Sequence, residues 1–338
     1  MKIKELAIKA FKTLKPFISP VVDFFTKQEA PTKTSFSKMD LAEMFIALLP
    51  IAIFGSLIFG FKAVFILLIS VILSLGLDFV WNFIVKKEKR IDYSTIVTGF
   101  LLGLTLSSSL NILLVIALNI ILTLLRKTLF KNDGIRFTTC LLLARGVFSI
   151  IFYNAFNNYL VPFVSSTGRL PIASLFITYS YVEPAKYMFF GIHSGNIGDT
   201  TVFLALLGGI YLILRGFINP IIPVSFILSS AFLSLIFGQN LAISLLGGGI
   251  FFAAFFMTMD YSLKKASRIK KILYGVACAV LTFIMRAIFK TECVYLAVLI
   301  VDMIFIYVTR NNIKAFIRFI KKPDFKLLLN KLKTAFSV

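Results

Sequence analysis

The sequence predicts an all-α membrane protein of about ten transmembrane helices, and three observations carry that prediction. Hydrophobic residues make up 59% of the 338 and charged residues only 15%, with a mean hydropathy of +0.93. That balance belongs to chains that bury their surface in lipid. Apolar runs long enough to cross a hydrocarbon core of roughly 30 Å fall at 41–60, 63–85, 94–108, 109–125, 138–157, 200–218, 220–237, 240–259, 271–289 and 292–309, two of them short. Finally, of 36 Lys and Arg, 30 fall in alternate segments that include both termini, 5 fall in the other segments, and Arg145 falls within a span. A split of that kind sets orientation: basic segments stay in the cytoplasm. The net charge of +21 is therefore a membrane signal, and a nucleic-acid partner is excluded.

The domains are set by the spans. Residues 1–38 interleave Lys2, Lys4, Lys9, Lys12 and Lys15 with Ile3, Leu6, Ile8, Phe11 and Leu14, a basic amphipathic segment that suits the anionic inner leaflet of the bilayer. No uninterrupted apolar stretch comes after those charges, so they do not read as a signal peptide. Residues 39–157 hold a first half of five helices, 158–199 an extracytoplasmic loop, 200–309 a second five-helix half, and 310–338 a basic tail that repeats the N-terminal pattern. Because five is odd, the second half would run inverted relative to the first, as in many transport folds.

Two polar helix starts stand out. The first is Ile91-Asp-Tyr-Ser-Thr-Ile-Val-Thr98, approached from the cytoplasmic side; the second is Ser194-Gly-Asn-Ile-Gly-Asp-Thr-Thr201, approached from outside. Asp and Thr at such positions cap the orphan N–H groups of a helix. A glycine-rich polar loop between membrane-length apolar segments lines a site more often than it idles. The candidate binding residues are accordingly Asn196, Asp199 and Thr200 above, and Asp92, Ser94 and Thr98 below.

Charged residues inside spans are costly and face a partner or a cavity. Asp78, Arg145, Arg286, Glu292 and Asp302 are of this kind, and Glu43 and Lys62 lie close enough to an interface to snorkel. Arg145 with Asp78 and Arg286 with Asp302 are the expected interhelical pairs. Several classes are excluded. Cys140, Cys278 and Cys293 have no CxxC or Cys/His spacing, and His193 is the single histidine, so no metal centre can be drawn. Aspartates occur at 23, 40, 78, 92, 133, 199, 260, 302 and 324 with no DxxxD pair, which rules out a Mg²⁺-diphosphate prenyl transferase.

Several of these stretches, in order, resemble one family. Met39-Asp-Leu-Ala-Glu-Met44 leading to Leu48-Leu-Pro50, the Asp92 to Thr105 helix start, Leu125-Arg-Lys-Thr-Leu-Phe130, the Ser194 to Thr201 loop, Phe256-Met-Thr-Met-Asp260 and Tyr274-Gly275 are similar to motifs of the B subunit of the sodium-pumping NADH:quinone reductase and its relative, the D subunit of the Rnf complex. The resemblance runs from about residue 20 to 310, with Asp199 in the place of a family Glu. It implies two antiparallel five-helix halves and a membrane subunit of a flavin-dependent electron transport complex, coupled to ion translocation and assembled with other membrane subunits. An open alternative is a transporter or channel for a flavin or a small neutral solute.

One departure bears on the cofactor. The family carries, before its sixth span, a threonine esterified to the phosphate of FMN. Aligning Val164-Ser-Ser-Thr-Gly-Arg-Leu-Pro171 on that motif puts Leu170 at the acceptor position, which has no oxygen to esterify. No covalent FMN is expected. FMN or riboflavin held noncovalently is, with Arg169 available to a phosphate through its guanidinium.

Overall fold

The computed structural model describes residues 38–83, 93–128, 137–156, 159, 164–165, 168–169, 184–259, 266–289 and 293–310. The basic terminal segments, Asp92, Thr167, Leu170, Glu292 and most of the 158–199 loop lie outside the described residues. Residues 33–301 form one compact unit, and 1–32 with 302–338 form a second, of which 302–310 is described.

The described elements are helices apart from one two-residue antiparallel ladder, β1 (Val164–Ser165) against β2 (Gly168–Arg169). In order the helices are α1 (Lys38–Phe59), α2 (Phe61–Trp81), α3 (Tyr93–Leu104), α4 (Ile112–Thr128), α5 (Phe137–Ile151), α6 (Tyr153–Phe156), α7 (Pro184–Phe190), α8 (Val202–Leu214), α9 (Ile221–Ile236), α10 (Leu241–Leu246), α11 (Ile250–Phe252), α12 (Arg268–Phe289) and α13 (Val294–Arg310). A π-helical turn, Ala253–Met257, extends α11. This is an all-α membrane architecture. Leu41–Phe59, Phe61–Trp81 and Arg268–Phe289 are each long and apolar enough to cross a bilayer, and shorter apolar helices fill between them.

The order of contacts repeats along the chain. In the first half α2 packs on α3 and α4; in the second, α9 packs on the interrupted α10 and α11 and on α12. The halves interlock where α1 meets α8 and where α5 meets the π turn. Polar residues tie the first half together, as suits helices in lipid, where apolar contact adds little preference. Ser70 Oγ donates to the Gly99 carbonyl at 2.8 Å and Ser74 Oγ to Asn119 Oδ1 at 2.8 Å, which joins α2 to α3 and α4.

Two expected spans are broken. α3 has 12 residues, about 18 Å at 1.5 Å per residue, too short to cross a hydrocarbon core of roughly 30 Å. The chain continues as Thr105-Leu-Ser-Ser-Ser-Leu-Asn111, whose side chains compete for the backbone bonds a helix would use: Ser107 Oγ accepts from Ser109 N–H at 3.2 Å, and Asn111 Oδ1 accepts from Leu113 N–H at 3.1 Å to start α4. The expected span at 240–259 begins well, with Asn240 capping α10 through Ala242 N–H. It is interrupted where Gly248 and Gly249 take φ of 67° and 70°, then resumes as α11.

Candidate functional site

Three chain breaks converge inside the bundle: the 105–111 turn after α3, the 191–201 loop before α8, and the glycines at 247–249. The loop joins the end of α3 through its backbone. Ile197 N–H donates to the Leu106 carbonyl at 3.0 Å and Gly198 N–H to the Leu104 carbonyl at 2.7 Å, which satisfies carbonyls that the broken helix leaves without partners. A Cβ at Gly198 would fall 2.9 Å from Leu104 Cβ and 3.1 Å from Phe252 Cε2, so only glycine permits this approach.

At the meeting point sits Asp199, 4% exposed. Asn196 Nδ2 donates to its Oδ2 and the Tyr295 hydroxyl to its Oδ1. Asn196 and Tyr295 are buried as well. The other face of the carboxylate lies on Gly249, where an added Cβ would stand 2.6 Å from Asp199 Cγ. Arg145, also buried, covers the Tyr295 ring with its guanidinium carbon 3.8 Å from the centroid, and stands 6.0 Å from the Phe156 ring. Its Nε donates to the Thr105 carbonyl at 2.9 Å, next to the end of α3, where a cation suits the helix dipole. Arg145 and Asp199 thus carry opposite charges with the tyrosine between them. Cation–π contact of this kind is worth about 2 kcal/mol when desolvated.

Arg286 performs a parallel task at the glycine break. It donates to the carbonyls of Ser244 and Gly247 at 2.8 and 3.1 Å, the end of α10.

The candidate residues divide into two groups. Asn196, Asp199 and Thr200 come together as expected. Asp199 does not cap α8, however: the residue before the helix is Thr201, which makes no side-chain cap bond, because the Asp199 carboxylate is drawn across to Asn196 and Tyr295. Ser94 and Thr98 stand toward the opposite end of α3; from Ser94 to Leu104 is about 15 Å along the helix, so they do not share a site with Asp199. Arg126 Nη1 donates to their hydroxyls at 3.4 and 3.2 Å, while its Nη2 reaches Asp78 Oδ1 at 3.1 Å and Thr95 Oγ1. Lys127 also pairs with Asp78 and donates to Asn82 Oδ1 at 3.1 Å.

The expected Arg145–Asp78 pair is therefore not formed. Asp78 lies near the end of α2 beside the last turn of α4, and takes Arg126 and Lys127 from it, whereas Arg145 on α5 faces the end of α3. Arg286 bonds to the backbone carbonyls of the glycine break. Glu43 behaves as expected of a group at an interface, pairing with the half-exposed Arg215 and accepting from Tyr211. The side chains of Asp92 and Arg169 lie outside the described residues.

Several of the residues expected to meet a flavin already have partners within the protein. Asn196 and Asp199 bond to each other, Ser94 and Thr98 are taken up by Arg126, and Gly249 closes the carboxylate's remaining face. The Thr200 and Thr201 hydroxyls are buried and find no partner among the described residues, whereas a flavin phosphate would meet the Asp199 charge. Sequence reasoning missed Tyr295 and Gly249. The Gly247-Gly-Gly249 run was a legible signal for the second, since consecutive glycines inside an apolar span mark a break or close approach.

Comparison with known proteins agrees with this architecture. A model of the NQR2, RnfD, RnfE family matches residues 29–314. The chain belongs to the NQR2, RnfD, RnfE family. It is similar to the D subunit of the Na(+)-translocating ferredoxin:NAD(+) oxidoreductase complex of Acetobacterium woodii, 28% identical over 252 residues that cover 73% of this chain and 79% of that one. The D subunit of an ion-translocating oxidoreductase complex of Methanosarcina acetivorans is 28% identical over 253 residues, 75% and 81% of the two chains. The D subunit of the proton-translocating ferredoxin:NAD(+) oxidoreductase complex of Clostridium ljungdahlii is 33% identical over 108 residues, 30% and 33%. The names of these relatives carry different ions.

Proposed function

We propose that this chain is the D-type membrane subunit of an ion-translocating oxidoreductase complex, working in the cell membrane with both termini in the cytoplasm and with other membrane subunits as partners. The observation that carries the reading is the family match over 29–314, supported by relatives of matching length that are subunits of such complexes. The geometry suits the task. A carboxylate, a tyrosine and an arginine buried where three chain breaks meet form the kind of intramembrane polar centre that charge movement requires.

Electron transfer needs a cofactor, and in such a complex the protein's part is to hold and tune it. No covalent FMN is proposed on this chain, because Leu170 replaces the acceptor threonine. A noncovalent FMN or riboflavin belongs to the proposal outside the packed Asp199 cluster.

The test is complementation. Inverted membrane vesicles from a strain deleted for this chain should lose ferredoxin-linked NAD⁺ reduction and the accompanying ion uptake, and a plasmid copy should restore both. Unchanged activity in the deletion strain refutes the assignment. Restored solute uptake without any redox activity would favour the transporter alternative.

A further inference from the structure

The relatives' names leave the transported ion open, and the Asp199 cluster has a composition that bears on it. We propose that Asp199, with Tyr295 and Arg145, is a proton-carrying site and not a sodium site in the translocation proposed above, a reading on which this inference rests.

Many of the oxygen ligands around the carboxylate are already committed. A hard cation collects about six of them, and several carbonyls near Asp199 already accept hydrogen bonds. Leu104 takes Gly198 N–H, Leu106 takes Ile197 N–H, Asn196 takes Asp199 N–H at 3.2 Å and Thr200 takes Val202 N–H at 3.0 Å. The Thr105 carbonyl takes Arg145 Nε. Both Asp199 oxygens hold donors, from Asn196 and Tyr295, and Gly249 lies against the carboxylate. A dehydrated sodium ion would have to displace the Asn196 and Tyr295 donors from the carboxylate, whereas a proton needs only one carboxylate oxygen and a partner able to reverse its hydrogen bond. The Tyr295 hydroxyl is such a partner, because it both donates and accepts.

Unused donors and acceptors, by contrast, surround the cluster. Among the described residues Arg145 has no carboxylate partner, and its hydrogen bond to the Thr105 carbonyl comes from Nε, which leaves the two Nη groups for other acceptors. The hydroxyls of Ser108, Thr200 and Thr201 are buried and find no partner among the described residues. Ser108 belongs to the turn after α3; Thr200 and Thr201 lie at the start of α8. Polar groups so placed suit ordered water, which would bring protons to the carboxylate and take them away.

The step balances. Hydronium gives a proton to an Asp199 oxygen, forming the carboxylic acid and water. The Tyr295 hydroxyl then accepts from the acid instead of donating to the carboxylate, and release to a second water reverses both changes. No electrons move at this site, and the Asp199–Arg145 pair goes from neutral to a charge of +1 and back. Among the described residues, the other titratable groups near the breaks include His193 on the same loop, Arg286 from α12 on the carbonyls of the glycine break, and the phenol of Tyr159, which lies near Tyr295.

The test uses the assembled complex in inverted vesicles, with Asp199→Asn and Tyr295→Phe beside the wild type and each chain's level checked by immunoblot. Proton uptake is read by quenching of a pH-sensitive acridine dye in sodium-free buffer, ²²Na⁺ uptake is read with a protonophore present, and both are divided by the rate of NAD⁺ reduction. The wild type should move protons without sodium. Asp199→Asn should lower protons moved per electron about tenfold or more, and Tyr295→Phe, which keeps the ring under Arg145, should lower it severalfold. An unchanged ratio in both variants overturns the inference and leaves the proposed function standing. So does protonophore-resistant ²²Na⁺ uptake in the wild type that Asp199→Asn abolishes. Absence of redox-driven movement of either ion in wild-type vesicles overturns the functional reading, and the inference falls with it.

Discussion

Replacing Gly249 by alanine tests the packing at the heart of the site. Gly249 has φ of 70°, and a Cβ built there stands 2.6, 2.7 and 2.9 Å from Asp199 Cγ, Oδ1 and Oδ2. Two separable effects result. Left-handed backbone disfavours a side chain by about 1–2 kcal/mol. The clash then forces Asp199 to shift and weakens its bonds to Asn196 and Tyr295, and a hydrogen bond to a charged group contributes about 1.5–3 kcal/mol. Gly216 supplies the control, because it has the same φ of 70° with nothing within 4 Å of an added Cβ. Gly216→Ala should therefore cost about 1–2 kcal/mol and Gly249→Ala about 3–5 kcal/mol, if one charged hydrogen bond is lost on top of the strain. The assay is unfolding of the purified chain in mixed micelles titrated with SDS, monitored by tryptophan fluorescence and circular dichroism. If Gly249→Ala unfolds no earlier than Gly216→Ala, the carboxylate is not held against the glycine break and the site geometry is wrong.

Asp78→Asn leaves Arg126 and Lys127, both nearly buried, without their shared carboxylate; breaking a buried pair from one side costs about 3–5 kcal/mol, so the same unfolding assay should show a loss of that size, and a loss under about 1 kcal/mol refutes the ion cluster. In-gel fluorescence of the denatured chain, co-expressed with a flavin transferase, should be dark, since Leu170 has no hydroxyl; a fluorescent band would show another acceptor such as Thr167. Single cysteines at Ser194 and at Ser262, in a background free of Cys140, Cys278 and Cys293, should differ in intact cells, with an impermeant maleimide labelling 194 more than 262. The reverse pattern overturns the proposed orientation.

Much of the fold class was legible because lipid enforces simple rules of span length and apolar composition. The short α3 was visible in the polar run from Thr105 to Asn111, and the central loop in Ser194 to Thr201. Partnership could not be read. Arg145 and Asp78 looked complementary, yet the ends of α2 and α4 lie together and deliver Arg126 and Lys127 to Asp78. Asp199 looked like a helix cap, but Tyr295, almost a hundred positions later, competes for the same oxygens. Nothing local marks Tyr295 as its partner, since tyrosines are common in apolar helices and the contact depends on how the second half closes on the first.

The most direct test of membership in an oxidoreductase complex is native electrophoresis of solubilised membranes carrying a tagged copy of this chain. The tag should migrate in an assembly several times larger than the chain alone, in a band that reduces a tetrazolium dye with NADH. A tag found only at the size of the free chain or its simple oligomers, with no redox activity in any band that contains it, would contradict membership.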